Sequence, residues 1–233
     1  MVRKICTLCS LIILLLTAFM PFAIADQMVI LDYDTARDEF FWDDLYRSGG
    51  ETLYCEESVR GPGRRFNVEH IYPASWMKEA GGCAGQSRRE CRRNSPRFNL
   101  MEADLHNLYP ALASINRDRN NYPFAILPGS ATGRCDFEVR DRQRLVEPIP
   151  ISRGNIARAV FYMNSEYGTS IEPPFSTSVQ QEPLLKAWHC SDPVDDEERR
   201  RNDNIERIQG TRNPFIDNPG LIDCSSVEMF PND

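Results

Sequence analysis

Glu69 and His70 are the two adjacent side chains best suited to do chemistry together. They lie in FNVEHIYPASW, residues 66–76, and set a hard oxygen ligand beside a titratable imidazole. A carboxylate can hold a cation. A histidine with an ordinary pKa of about 6.5 can take a proton from water near neutral pH. Neighbouring residues on a regular strand point to opposite faces, so a shared site needs irregular backbone or a strand end. A surface Glu-His pair closing a strand would carry the same two letters.

The surroundings favour an anionic ligand. Arg60, Arg64 and Arg65 precede the pair, and Lys78, Arg88, Arg89, Arg92, Arg93 and Arg97 follow it, against Glu69, Glu79 and Glu90. The whole chain has a net charge of −7, which argues against a protein coated in basic surface. A local basic patch on an acidic chain fits a polyanion held at one place, although a solvated arginine loop has the same composition. Other chemistries find no support. The remaining histidines, His106 and His189, complete no HExxH, and there is no GxSxG, Walker loop or GxGxxG. The segment ALASINRDRN, residues 111–120, reads as a short helix carrying Asn116 and Arg119. Asn116 is either an amide-oxygen ligand or a helix cap. A base candidate, a carboxylate, an amide oxygen and cationic donors are what phosphodiester hydrolysis requires. The base activates water, a hard cation neutralises the phosphate and stabilises the leaving oxygen, and cationic donors bind the non-bridging oxygens. Carboxylate and amide oxygens suit Mg²⁺, which takes few protein ligands and keeps several waters.

The elements that must position these groups can be sketched from pattern. Residues 33–49 predict a helix with Phe40, Phe41, Leu45 and Tyr46 inward and Gly49 at its end. Residues 66–71 read as extended, and 81–97 as a disulfide-pinned loop with Arg88 and Arg89 exposed. Pro110 suits the first turn of the helix that carries Asn116. Residues 155–167 form an amphipathic helix with Ile156, Val160, Met163 and Tyr167 on one stripe. Residues 179–191 predict another, with Leu184, Leu185 and Trp188 inward. Residues 195–209 predict a highly charged helix with a solvated face, closed by Gly210, and Asn213-Pro214-Phe215 a turn that packs back on the core.

Residues 1–25 read as a secretory signal: Arg3 and Lys4, an apolar run from Leu11 to Phe22, then Ala23-Ile24-Ala25 for cleavage. Without linker, repeat or low-complexity tract, 26–233 is expected to form one domain. Cys55, Cys83, Cys91, Cys135, Cys190 and Cys224 then remain in an exported chain and point to disulfides, with Cys83–Cys91 favoured as a local pair. No CxxC is present among them, which disfavours structural zinc.

The motifs NVEHIYPAS (67–75), DLHNLYPALASINRDRNNY (104–122), ARAVFYM (157–163) and IQGTRNPF (208–215), in that order, resemble the bacterial endonuclease I family of periplasmic and secreted nucleases. The resemblance implies an α+β protein with a ββα-metal (His-Me finger) core, surrounding helices and stabilising disulfides. It implies His70 as general base, with Glu69 and Asn116 holding one divalent cation, Mg²⁺ or another such as Mn²⁺ or Ca²⁺. Arg89 would hold the cleaved phosphate, with Arg88 beside it as the alternative, and Asn107 would orient His70 or the attacking water. Glu102 is a supporting candidate. Its partners would be double- and single-stranded DNA and RNA, cut with little sequence preference to 5′-phosphates, and it would be a monomer free of the membrane once its signal is removed. Two competitors are an exported, disulfide-stapled polyanion-binding protein without catalysis and a metal-dependent phosphatase.

Overall fold

The computed structural model describes residues 27, 29–129 and 134–227, so the expected signal at 1–25 lies outside the described residues. The chain enters through a helical turn, α1 (Tyr33–Thr35), whose first amides are capped by Asp32 (Thr35 N to Oδ1, 2.9 Å). This turn widens into π-type winding over Ala36–Leu45, seen where Tyr46 N donates to the carbonyl of Phe41, five residues back, at 2.9 Å. The buried stripe accordingly repeats every five residues, through Ala36, Phe41 and Tyr46. Trp42 is buried as well, whereas Phe40 and Leu45 are half-exposed, which a 3.6-residue period does not anticipate.

Two short strands, β1 (Gly50–Glu51) and β2 (Ser58–Val59), pair antiparallel before the central hairpin. That hairpin is β3 (Phe66–His70) with β4 (Leu108–Leu112), in register Phe66 to Leu112 through His70 to Leu108. Between its strands run α2 (Ala74–Ala80), α3 (Arg88–Asn94) and α4 (Pro96–Ala103). The short helix α5 (Ala113–Arg119) follows β4 at once, so hairpin and helix form a ββα unit.

Two expectations fail here for local reasons. Residues 81–97 are mostly helical, because Ser87 and Glu90 make a capping box and Ser95 caps a helix with Pro96 in its first turn. Pro110 lies inside β4, and its helix begins only at Ala113. A two-stranded hairpin has a free outer edge on each strand, where a missing N–H is tolerated.

The remaining elements are a hairpin of β5 (Glu138–Arg140) and β6 (Leu145–Glu147), then α6 (Arg153–Tyr167), α7 (Gln181–Ser191), α8 (Asp196–Gln209) and α9 (Pro214–Asp217). The predicted inward residues of α6 and α7 are buried. In contrast, α8 is not merely a solvated face. Glu198, Arg201, Asn202, Ile205, Ile208 and Gln209 are buried, and the polar ones are satisfied by partners instead of water. Arg158 forks onto both oxygens of Glu198 at 2.6 Å. Arg201 reaches the carbonyls of Leu105 and Leu108, both at 2.6 Å, and stacks over Tyr109.

Two apolar clusters flank the hairpin, and Phe66 packs against both. Disulfides join Cys55 to Cys135, Cys83 to Cys91 as expected, and Cys190 to Cys224. The Asn213-Pro214-Phe215 turn does fold back, with Asn213 buried and Phe215 against Phe161. Among the described residues no helix is long and apolar enough to cross a membrane.

Candidate active site

The end of β3 resolves the geometric problem of two adjacent site residues. His70 is the last residue of the strand, and the chain breaks away after it. The exit is locked by Asn107, whose Oδ1 accepts from Tyr72 N at 2.7 Å and whose Nδ2 donates to Tyr72 O at 3.0 Å. Asn107 is fully buried and spends its amide on this backbone, so it acts on the path of the chain after His70 and bonds neither the imidazole nor the cleft. Glu69 and His70 both line one cleft of about 660 Å³, which Asn116 and Arg88 also line.

His70 is 8% exposed, and its Nε2 sits 2.9 Å from the carbonyl oxygen of Glu102. A carbonyl only accepts, so Nε2 carries the proton and Nδ1 keeps its lone pair. The Nδ1 atoms of His106 and His189 are buried without partners; that of His70 belongs to a ring facing the cleft. Burial, reinforced by the Arg88 charge, pushes the His70 pKa down to about 3, so the ring is neutral at neutral pH and a weaker base than a free imidazole.

Glu69 is 2% exposed. Its Oε1 accepts the Tyr54 hydroxyl at 2.8 Å and lies 3.4 Å from Arg119 Nε, close enough to feel that charge but without hydrogen-bond alignment. Burial pushes its pKa up to about 7 against the opposing pull of Arg119 and Tyr54. A carboxylate so desolvated gains strongly from a cation. Asn116, on α5, donates through Nδ2 to Asn67 Oδ1 at 2.9 Å and to Val68 O at 3.1 Å. These bonds tie α5 to β3 and leave the amide oxygen for a ligand. The two side chains thus offer oxygens of the kind a hard cation takes. Among the described residues no three His, Cys, Asp or Glu side chains cluster as a metal set, which weighs against a zinc-type site.

Arg88 and Arg89 share the first turn of α3 and differ in direction. Arg88 lines the cleft and pairs through Nε with Glu102; Arg89 is exposed and is not part of the cleft wall. Glu102 is fully buried and also takes Arg92 Nε at 2.6 Å, so one residue holds two arginines by its carboxylate and His70 by its carbonyl. The sequence does not single out Tyr54, Tyr33 or Asn67. Tyr54 and Tyr33 meet the site only through tertiary packing, and Asn67, although it lies two residues before Glu69 on β3, enters it through its tertiary bond to Asn116.

A neutral imidazole, two side-chain oxygens and an arginine on one cleft wall are equipment that a hydrolytic nuclease could use. Comparison with known proteins agrees. The model of the family "Endonuclease I" matches residues 24–220. A periplasmic deoxyribonuclease of Aeromonas hydrophila is 33% identical over 198 residues, covering 74% of this chain and 81% of the relative. An extracellular deoxyribonuclease of the same organism is 37% identical over 156 residues, 66% of each chain. An extracellular ribonuclease of Bacillus subtilis (strain 168) is 33% identical over 147 residues, 55% of this chain and 46% of the relative. The chain belongs to the endonuclease I family. It is a phosphodiester hydrolase of the periplasmic or secreted kind.

Proposed function

We propose that the protein is a divalent-metal-dependent endonuclease that cuts DNA, and RNA as well, with little sequence preference. The observation that carries this reading is His70, its Nε2 tethered to Glu102 O and its ring on the wall of the cleft shared by Glu69 and Asn116. Nδ1 takes a proton from the attacking water, while the Nε2–H bond to Glu102 fixes the ring and spreads the charge that develops. Arg88 binds a non-bridging oxygen of the phosphate. A phosphate beside Arg88 also offsets the cation that helps hold the His70 pKa down. Glu69 and Asn116 hold the cation, the ββα unit serving as the metal-binding core. When bound, Mg²⁺ supplies charge neutralisation and stabilises the leaving 3′-oxygen. Cleavage of the bond to that oxygen leaves a 5′-phosphate and a 3′-hydroxyl.

Sequence indifference follows if the contacts go to phosphate and not to base edges. The relatives named for deoxyribonuclease and ribonuclease action support both substrates. The working protein is read as a single monomeric domain, 26–233, freed of residues 1–25 by export.

The test is supercoiled plasmid incubated with the oxidised protein in Mg²⁺ or in EDTA, beside His70→Ala, with a structured RNA in parallel. Metal-dependent nicking is expected, with the variant slower by about 10²–10⁴-fold, the usual worth of a positioned base. Cleavage undiminished in His70→Ala would remove His70 from the mechanism, and binding without cleavage in every metal would leave only a polyanion-binding protein.

A further inference from the structure

We propose that Tyr33 is a positioning residue for this reaction, whose ring fixes the His70 imidazole and the Arg88 guanidinium relative to each other. The inference rests on His70 and Arg88 having the roles given above. Tyr33 opens α1 and comes from a part of the chain far in sequence from the hairpin, yet it lines the cleft. Its ring centroid is 4.9 Å from that of His70, tilted by 41°. Three guanidinium carbons lie over the same ring, Arg92 at 5.1 Å, Arg88 at 5.3 Å and Arg37 at 5.6 Å.

Three cations crowded on one side chain repel unless each is held. Each is held by something outside the ring. Arg88 and Arg92 divide the two oxygens of Glu102. Arg37 is forked onto Asp38 and reaches Asp34 at 3.0 Å. The tyrosine face then supplies the common surface on which these planar groups rest, an arrangement aromatic quadrupoles favour.

The two site groups need that surface. His70 is tethered by a single hydrogen bond, Nε2 to Glu102 O, which leaves the ring free to tilt about it. Packing against Tyr33 removes that freedom and so aims Nδ1. Arg88 is bonded through Nε, and its side chain is 48% exposed, so its outer nitrogens are steered by the ring beneath. The hydroxyl of Tyr33 bonds to no described residue, so the contacts that matter are those of the ring.

The experiment compares wild type, Tyr33→Phe and Tyr33→Leu on a defined duplex in Mg²⁺, reading kcat and KM separately. It adds imidazole spectra of histidine-labelled protein in which His70→Ala identifies the His70 signal. Misplacement of a reacting group by about 1 Å costs on the order of 10²-fold. Tyr33→Leu is therefore expected to lose about 10–100-fold in kcat with KM within about 3-fold, and Tyr33→Phe to stay within about 3-fold of wild type. Loss of the tyrosine ring current shifts a neighbouring imidazole by itself, so the readout is motion: in Tyr33→Leu the 15N relaxation of the His70 ring should report added mobility while the rings of His106 and His189 keep theirs, which shows the rest of the fold intact. A Tyr33→Leu enzyme with wild-type kcat, a His70 ring no more mobile than in wild type, or a loss shared equally by Tyr33→Phe would each overturn the inference. The spectra need no turnover, so they decide the role of Tyr33 even if the wild type cuts nothing, an outcome that would instead sink the proposed function.

Discussion

Arg88 and Arg89 show how much a single residue step decides. On a helix, consecutive residues diverge by about 100°, so one of two adjacent arginines can face a cleft while the other faces water. Arg88 faces the cleft, and its charge also weighs on His70. Arg88→Ala should lower kcat/KM by about 10²-fold, the scale measured for removing one preorganised donor to a developing charge. Arg89→Ala should stay within about 3-fold. In the first variant Glu102 keeps Arg92 on Oε2 and loses its partner on Oε1, so urea unfolding of Arg88→Ala is read beside the kinetics to separate the substrate contact from the half-satisfied carboxylate. Equal effects of the two substitutions in steady-state kinetics would show that the phosphate is held elsewhere. At this scale the meeting of Glu69, His70 and Asn116 in one cleft is legible in the sequence, because residue type and motif carry it. Which nitrogen of His70 bears the proton is not, since Glu102 is 32 residues away and contributes its backbone. The choice between Arg88 and Arg89 was hidden for a related reason: segment 81–97 read as a loop, and a loop gives no direction to its side chains.

That loop reading exposes what determines the elements. The Ser87–Glu90 capping box is present in the letters, but the glycines and cysteines around it carry the signature of a pinned loop. The face of α8 was unreadable by hydrophobic periodicity, because its buried side includes Glu198, Arg201, Asn202 and Gln209. Only their partners make that burial tolerable. The π-type winding of residues 36–45 likewise breaks the period on which the helical face was drawn. By contrast α6 and α7 obey ordinary amphipathic spacing, and their cores were read correctly. For the proposed reaction the element that matters most is α3, a short helix pinned by Cys83–Cys91 that places Arg88 on the cleft wall. Closing so short a loop removes unfolded-state entropy worth about 2–3 kcal/mol. Replacing both cysteines with alanine should lower the free energy of urea unfolding by about that amount. It should also raise KM more than it lowers kcat, since the helix that presents the phosphate donor is loosened while His70 stays on its strand. An unchanged KM in the alanine pair would mean that packing of α3 on α4, and not the disulfide, holds Arg88 in place.

Over the whole molecule, the motifs that looked like separate fragments are wired behind the hairpin. Asp104 accepts the hydroxyls of Tyr162 at 2.9 Å and Tyr167 at 2.6 Å, and Gln209 Nε2 at 2.9 Å. His106 beside it reaches Thr211 O at 3.1 Å through Nε2, while its Nδ1 is buried without a partner. Residues 104–107, α6 and the 208–215 segment therefore close on one buried polar centre that backs the strand carrying Leu108. His106 is expected to make that centre acid-sensitive. Burial, aided by the Arg201 charge, pushes the His106 pKa down to about 3, below its unfolded value. The folded state then binds fewer protons than the unfolded chain between about pH 3 and 6.5, so the contribution is complete above 6.5 and is lost as pH falls towards 3. At 1.36 kcal/mol per pH unit this is on the order of 3–5 kcal/mol. His70 and His189 are depressed in the same direction, whereas Asp104 and Glu198 are raised by burial and act oppositely. The wild-type slope alone therefore identifies no group, and the comparison with His106→Gln does. Urea unfolding at intervals from pH 7 to pH 4 should show wild type losing on the order of 2–4 kcal/mol more than the variant, which has no proton to take up at that site. Parallel slopes for the two proteins would mean that His106 is hydrated or already paired when charged, and that acid opens the molecule somewhere other than behind its hairpin.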